Sequence, residues 1–201
     1  ITVIRCGQLL DGIGGTLDDA VVVVDGGIIT EIRPWRPDDR RNDRLYDWSS
    51  ATVMPGLIEA HAHFGLLMTP GLSAAEIAAH IFANTARALD EGFTTARDAG
   101  GIDGGVARCI DTGLVRGPRV LPSGPFLTET GGHADWRQPW HDHHDAGVSG
   151  LMRTAIVVDG PVQARAAVRE AIRAGATQIK VCLSGGVTSG GGLDRCQMSA
   201  A

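Results

Sequence analysis

From about residue 51 onward, short apolar stretches alternate with amphipathic stretches, and this alternation restricts the possible folds more than any other feature. It predicts strands at about 52–60, 94–97, 119–122 (with an extension toward 127) and 178–183. It predicts intervening helices at about 73–91, 106–111 and 161–174. Strands that alternate with helices are typical of an α/β fold with a parallel sheet.

The helix boundaries carry signals of their own. Ser73 and Glu76 have the spacing of a capping box, which satisfies backbone N–H groups at a helix start, and Gly92 is placed to end that helix. Pro161 suits the first turn of the last predicted helix and Gly175 its end. These signals support the helix predictions independently of the apolar pattern.

The first 50 residues show strand patterns only. Stretches 2–6, 20–24 and 28–32 are apolar and rich in β-branched residues, and Asp25-Gly26-Gly27 is a hairpin signal between the last two. Residues 34–44 contain prolines and charges and predict a connector. We therefore predict two domains, 1–50 and 51–201.

Composition excludes several classes of protein. A net charge of −5 gives no support for a nucleic-acid partner, and no apolar run is long enough to cross a membrane. The four cysteines lie far apart without metal-site or disulfide spacing, so we expect reduced thiols in a cytoplasmic protein.

Two histidines follow the first predicted strand of the second domain. Residues i and i+2 of a strand point to the same face, so His61 and His63 would aim two imidazoles at one point. This is the geometry of a metal site at a strand end. The alternative is two incidental histidines at an exposed strand end.

Lys180 lies inside the apolar stretch of the last predicted strand. An isolated buried ammonium group is costly, so this lysine must be paired or must lose its charge. It either reaches a strand end or a carboxylate, or it is a functional amine with a depressed pKa.

Other polar residues follow the predicted strands. His133 lies in a loop after the third strand and is a candidate substrate contact, or it caps its own turn. Arg97 and Asp98 end the second strand, where they support the site from behind or form an ion pair. Residues 141–145, with three histidines and two aspartates, form either a solvated lid or a separate metal site. The glycine-rich stretch 184–192 lacks the lysine and hydroxyl residue of a phosphate-binding loop.

Four stretches resemble the amidohydrolase superfamily, in particular its imidazolonepropionase-like and Xaa-Pro dipeptidase-like branch. They are residues 55–63 (PGLIEAHAH), 92–101 (GFTTARDAGG), 130–135 (TGGHAD) and 178–187 (QIKVCLSGGV). The family usually has aspartate where this chain has Glu59. The resemblance implies the N-terminal half of a (β/α)8 TIM-type barrel, preceded by part of a small β-sandwich. Four strand–helix units fall short of the roughly 250 residues of a whole barrel, so we expect this chain to be part of a longer or split protein.

The resemblance also implies a site. His61 and His63 would bind the more buried of two Zn²⁺ ions, and Lys180, carboxylated by CO2, would bridge the two. A hydroxide held by the metals would attack the scissile carbonyl, with His133 contacting substrate. The remaining ligands and the general base would come from residues beyond Ala201.

The function expected from this site is hydrolysis of an amide or peptide bond, as in Xaa-Pro dipeptidases. The alternatives are a cyclic-amide hydrolase of the imidazolonepropionase type, a catalytically incomplete half-barrel, and a metal-storing module. Expected partners are a dipeptide or other small substrate and the other half of the barrel, which could be a second chain. We expect the complete protein to be a homo-oligomer.

Overall fold

The computed structural model describes residues 1–42, 44–66, 71–137, 140, 147–187, 192–194 and 196–198. The chain divides into two compact units, Ile1–Gly56 and Leu57–Ala201. Within the described residues, no helix is both long and apolar enough to cross a membrane.

The first unit is a four-stranded sheet. Its strands are β1 (Thr2–Leu10), β2 (Thr16–Asp25), β3 (Ile28–Pro34) and β4 (Leu45–Val53). They lie in the order β3-β2-β1-β4, with β1 antiparallel to β2 and parallel to β4. A short 3-10 helix, Pro37–Arg41, lies in the predicted connector. The three predicted strands are confirmed, whereas β4 was not predicted.

The hairpin between β2 and β3 turns where the glycines allow it. Gly26 and Gly27 both have positive φ, +56° and +83°, which a type I′ turn requires. Cys6, Ala20 and Val22 are buried between the strands and form the centre of the unit's core.

The prediction of one strand over 52–60 is wrong. Thr52 and Val53 end β4 in the first unit, and β5 (Leu57–Ala62) begins the second unit. Pro55 lies in the break between them. Proline has no N–H to donate to a neighbouring strand, so the apolar run cannot pair continuously across it.

The second unit alternates strands and helices as predicted. After β5 come α1 (Ala74–Asp90), β6 (Phe93–Asp98), α2 (Gly104–Asp111), β7 (Arg119–Leu121), β8 (Phe126–Thr128), β9 (Ala155–Val157) and α3 (Pro161–Arg173). Strands β5, β6 and β7 form a parallel sheet in that order. The predicted α/β class is therefore confirmed.

Helix α1 packs its apolar face on this sheet. Ile81 is fully buried in a core that also contains Ala96 of β6 and Val106 of α2. The predicted capping box is present, since Ser73 Oγ accepts the N–H of Glu76 and the Glu76 carboxylate accepts the N–H of Ser73. This box fixes where α1 begins.

The third and fourth predicted strands differ from expectation. The third divides into β7 and β8, because Pro122 and Pro125 interrupt the ladder between them. Residues 178–183 are not a regular strand; they make one parallel bridge, Val181 to Leu127 of β8. Strand β9 pairs with the other side of β8 and was not predicted. The end of segment 178–183 has one further backbone contact, because the carbonyl of Leu183 accepts the N–H of Gln197 at 2.9 Å.

Candidate functional site

The two histidines converge as the strand geometry predicted. His61 lies in β5 and His63 just past its end, and their Nε2 atoms are 3.1 Å apart. The Glu59 carboxylate accepts the backbone N–H of His61 at 2.9 Å and braces the strand end. Two imidazole nitrogens this close share either a proton or a cation.

A hydrogen bond sets the tautomer of His63. Its Nδ1 lies 3.0 Å from the carbonyl oxygen of Gly100. A carbonyl oxygen can only accept, so Nδ1 carries the proton and Nε2 of the neutral ring keeps its lone pair. A histidine that ligates a metal through Nε2 is commonly oriented in this way.

The electrostatic surroundings favour neutral His61. Burial lowers the pKa of His61, and the positive charge of Lys180 lowers it further. A neutral imidazole is the form that binds a metal. The pair therefore has the geometry of two metal ligands, and at His61 the surroundings also favour the neutral form.

Lys180 and His133 line the same cavity as the two histidines. The cavity has a volume of about 390 Å³, and its apolar lining includes Leu66, Phe126 and Trp136. The structure therefore brings together all four residues that the sequence singled out as ligands or catalytic groups: His61, His63, His133 and Lys180.

Lys180 is held in place without a regular strand. Its carbonyl accepts the N–H of Leu127 at 2.9 Å. Two residues earlier, the Gln178 amide donates to the carbonyl oxygens of Asp98 at 3.0 Å and Leu121 at 2.8 Å, at the ends of β6 and β7. Gln178 thus anchors the lysine segment to the parallel sheet. Sequence reasoning missed this residue, and its position beside Lys180 was the only signal.

His133 packs against a glycine. A Cβ atom at Gly186 would lie 2.3 Å from Nδ1 and Cε1 of the His133 ring, so only glycine leaves room for the imidazole. Nδ1 of His133 is buried and has no hydrogen-bond partner among the described residues. Nδ1 is thus enclosed beside Gly186, and the rest of the imidazole contributes to the cavity lining.

Arg97 and Asp98 separate to opposite faces of β6. Exposed Arg97 donates from Nε to the carbonyl of Ala60 at 2.7 Å. Asp98 is fully buried and accepts the N–H groups of Phe64 at 2.8 Å and Gly100 at 3.0 Å. Burial raises the pKa of Asp98 to about 6. Among the described residues, neither side chain forms an ion pair. Both side chains instead bind backbone groups close to the two histidines.

Two predicted features are not part of this arrangement. Residues 141–145 lie outside the described residues. In the part of the chain that the structure describes, no group of three or more histidine, cysteine, aspartate or glutamate side chains is placed to hold a metal. The described chain therefore supplies two imidazoles and one amine toward such a site.

The lysine also stands out by composition, a signal the sequence reasoning did not use. Lys180 is the single lysine of the chain, and the other 17 of its 18 basic residues are arginines.

The chain is similar to several known proteins. Ochratoxinase of Aspergillus niger is 32% identical over 213 residues, which cover 94% of this chain and 43% of that protein. A prolidase crystallised with N-methylphosphonate-L-proline is 36% identical with a TM-score of 0.84, covering 98% of this chain and 50% of that one. A Xaa-Pro dipeptidase with bound methionine is 29% identical with a TM-score of 0.83, covering 98% of this chain and 51% of that one.

The chain thus spans about half the length of the relatives it matches. The model of the Amidohydrolase family matches residues 52–198, which contain every candidate site residue described above. The chain belongs to the amidohydrolase family.

Proposed function

We propose that this chain contributes the metal-binding half of an amidohydrolase that cleaves the amide or peptide bond of a dipeptide-like substrate. The observation that carries the proposal is the convergence of His61 and His63 Nε2, 3.1 Å apart, in a cavity shared with Lys180 and His133. Metal dependence is general in the amidohydrolase family, and this donor set fits a metal such as Zn²⁺.

His61 and His63 would hold the metal through Nε2, with His63 oriented by the carbonyl of Gly100. The metal, when bound, would supply Lewis acidity and lower the pKa of water. The protein would position the substrate carbonyl, favour neutral His61 and exclude bulk water with the Leu66 and Phe126 side chains that line the cavity.

Lys180 would act as a carbamate. The ammonium group would first release one proton. The resulting neutral amine would attack CO2, an N–C bond would form, and a second proton would leave to solvent, so the side chain would change from a cation to an anion with two oxygen ligands. The carbamate oxygens of Lys180, together with His61 and His63, would hold the metal, and further ligands would come from elsewhere in the protein.

The substrate class follows from the cavity and the relatives together. Two relatives are a prolidase and a Xaa-Pro dipeptidase. The apolar lining suits a side chain or a proline ring, and the imidazole of His133 in the same lining would contact a polar group of the substrate. A dipeptide or an N-acyl amino acid presents both features.

The exposed strand edges support a half-barrel that further strands complete. In β5, Ile58 is 70% exposed, and beside the lysine Leu183 is 63% exposed. In β3 of the first unit, Ile28 is 67% exposed. Apolar residues at free strand edges favour pairing with additional strands. We infer that a second polypeptide segment, in the same protein or another, covers them.

The test is to purify the protein that carries this chain without chelators and to measure bound metal and hydrolysis of a Xaa-Pro dipeptide. His63→Asn is expected to remove metal and activity. Lys180→Arg keeps the positive charge but cannot form a carbamate, and it is expected to reduce both. His80→Asn, on the exposed face of α1, is the matched control and should change neither.

Two results would contradict the proposal. One is full activity in Lys180→Arg, and the other is metal content that is unaffected by His63→Asn. If the protein binds metal through these residues but hydrolyses no dipeptide, the proposed substrate class is wrong, while the proposed metal site stands.

A further inference from the structure

Asp98 is the only fully buried carboxylate among the described residues, and it has no cationic partner there. It ends β6, and its two oxygens accept only backbone N–H groups. Oδ2 accepts from Phe64 at 2.8 Å, and Oδ1 accepts from Gly100 at 3.0 Å and more weakly from Ile102 at 3.5 Å. A buried carboxylate is expensive unless its hydrogen bonds are made, so these contacts fix the local backbone firmly.

The residues that Asp98 holds are those that orient His63. Phe64 directly follows His63 in the chain, and Gly100 provides the carbonyl that accepts from His63 Nδ1 at 3.0 Å. The carboxylate therefore fixes both the backbone that carries the imidazole and the acceptor that aligns it. Loss of either hydrogen bond would leave the ring free to rotate.

The turn at Gly100 has little freedom to compensate. Its φ is +140°, and a Cβ atom there would lie 2.7 Å from the Phe126 ring, whose centroid is 5.5 Å from that of His63. Gly100 is thus held by a backbone conformation that favours glycine, by the Phe126 ring beside it, and by the hydrogen bond from its N–H to the Asp98 carboxylate.

The same residue also contacts the lysine segment. The backbone carbonyl of Asp98 accepts from the Gln178 amide at 3.0 Å, two residues before Lys180. The two chain segments that carry the candidate ligands therefore meet at Asp98.

We propose that Asp98 is a positioning residue that aims His63 Nε2 at the metal and sets the affinity of the site. This inference rests on the proposed function, because it presupposes that His63 is a ligand. It predicts that the carboxylate, and not merely a polar group of the same shape, is needed.

Asparagine separates these possibilities. Asp98→Asn keeps the shape but replaces one acceptor oxygen with an NH2 donor. The remaining oxygen can serve either Gly100 or Phe64, so one backbone N–H must face the NH2 group. The matched control is Asp103→Asn, which alters a half-buried carboxylate that caps α2 by accepting the Gly105 N–H at 2.9 Å.

The first measurement is metal affinity, by titration of the metal-free protein with Zn²⁺ and with Co²⁺. We expect Asp98→Asn to weaken binding about 10- to 100-fold, the usual effect of losing a group that orients a ligand. Asp103→Asn should bind as the wild type does. Thermal unfolding of both metal-free variants reports whether the fold is equally retained.

The second measurement does not need metal. In the metal-free wild type, NMR should show a His63 imidazole N–H that exchanges slowly with water, and Asp98→Asn should make it exchange rapidly. A protected His63 N–H or unchanged metal affinity in Asp98→Asn overturns the inference, as does equal weakening by Asp103→Asn.

The two proposals fail in different ways. A wild type that binds no metal refutes the metal site, while the imidazole N–H still decides the role of Asp98. If Asp98→Asn does not fold, hydrogen exchange in the wild type tests the inference instead. The Phe64 and Gly100 amides and the His63 imidazole N–H should then be protected together. Exchange of the His63 N–H independently of the two amides overturns the inference.

Discussion

Replacing Gly186 tests whether His133 acts in the site. In Gly186→Ala, the new Cβ would lie 2.3 Å from Nδ1 and Cε1 of His133, 1.1 Å short of the 3.4 Å at which ordinary contact begins. The φ of Gly186 is outside the left-handed region, so alanine is acceptable to the backbone there. The His133 ring must therefore move by about 1.1 Å to relieve the clash.

A displacement near 1 Å in a group that positions substrate costs about 100-fold in rate. This corresponds to roughly 2.7 kcal/mol of transition-state stabilisation. We expect Gly186→Ala to lower kcat/KM for a Xaa-Pro dipeptide by about this factor, with bound metal unchanged. The assay is steady-state hydrolysis at saturating metal, with metal content measured on the same samples.

A double-mutant cycle identifies the cause. If the alanine acts by displacing His133, it should have little further effect in a His133→Ala background, because the ring it displaces is absent. Full activity in Gly186→Ala would refute the argument. The same loss with and without His133 would also refute it, since the effect would then come from the glycine loop itself.

Three further predictions concern stability. Arg33 and Asp39 form a two-point ion pair with side chains only 15% and 11% exposed, and Arg33 lowers the pKa of Asp39. Asp39→Asn should therefore lower the free energy of unfolding by about 1–2 kcal/mol at neutral pH, and the difference should fade as the pH falls below about 4 and Asp39 becomes protonated. Asp38→Asn, whose side chain is 86% exposed, should leave the stability unchanged. Amide exchange in β3 measures both effects. Ile81→Ala should cost about 2–5 kcal/mol in chemical denaturation of the second unit, because Ile81 is fully buried in its core. Removing metal with a chelator should lower the midpoint of thermal unfolding. If the free metal had been at 100 times its Kd, its removal should lower the free energy of unfolding by about 2.7 kcal/mol. No change in the midpoint would count against a bound metal.

The features that sequence reasoning predicted correctly depend on local interactions. The start of α1 follows from Ser73 and Glu76, three residues apart, and the hairpin from Gly26 and Gly27. Convergence of His61 and His63 follows from the two-residue period of a strand. In each case the residues that determine the structure lie within a few positions of each other, so the sequence shows cause and result together.

The features it missed depend on contacts between distant residues. Gln178 binds the carbonyl of Asp98, 80 residues away, and that of Leu121, 57 residues away. The Asp98 carboxylate binds Phe64 across 34 residues. The local pattern of 178–183 predicted a regular strand, but the segment forms only one parallel bridge, to Leu127 of β8. No inspection of the local sequence reveals such partners.

Composition adds an argument about Lys180 that geometry alone does not. Every other basic residue of this chain is arginine, so a general need for positive charge is met throughout by guanidinium groups. Arginine is always protonated and cannot become a nucleophilic amine, whereas lysine can lose its proton on burial and react with CO2. Position 180 is where the chain departs from arginine, inside the cavity that holds His61 and His63. This departure supports the proposal that Lys180 acts as an amine and not only as a positive charge. The presence of a single lysine also makes the proposed carbamate accessible to experiment. In this chain, 13CO2 can label only the Lys180 amine and the N-terminal amine, so a carbamate signal in 13C NMR that disappears in Lys180→Arg would identify the carboxylated side chain directly.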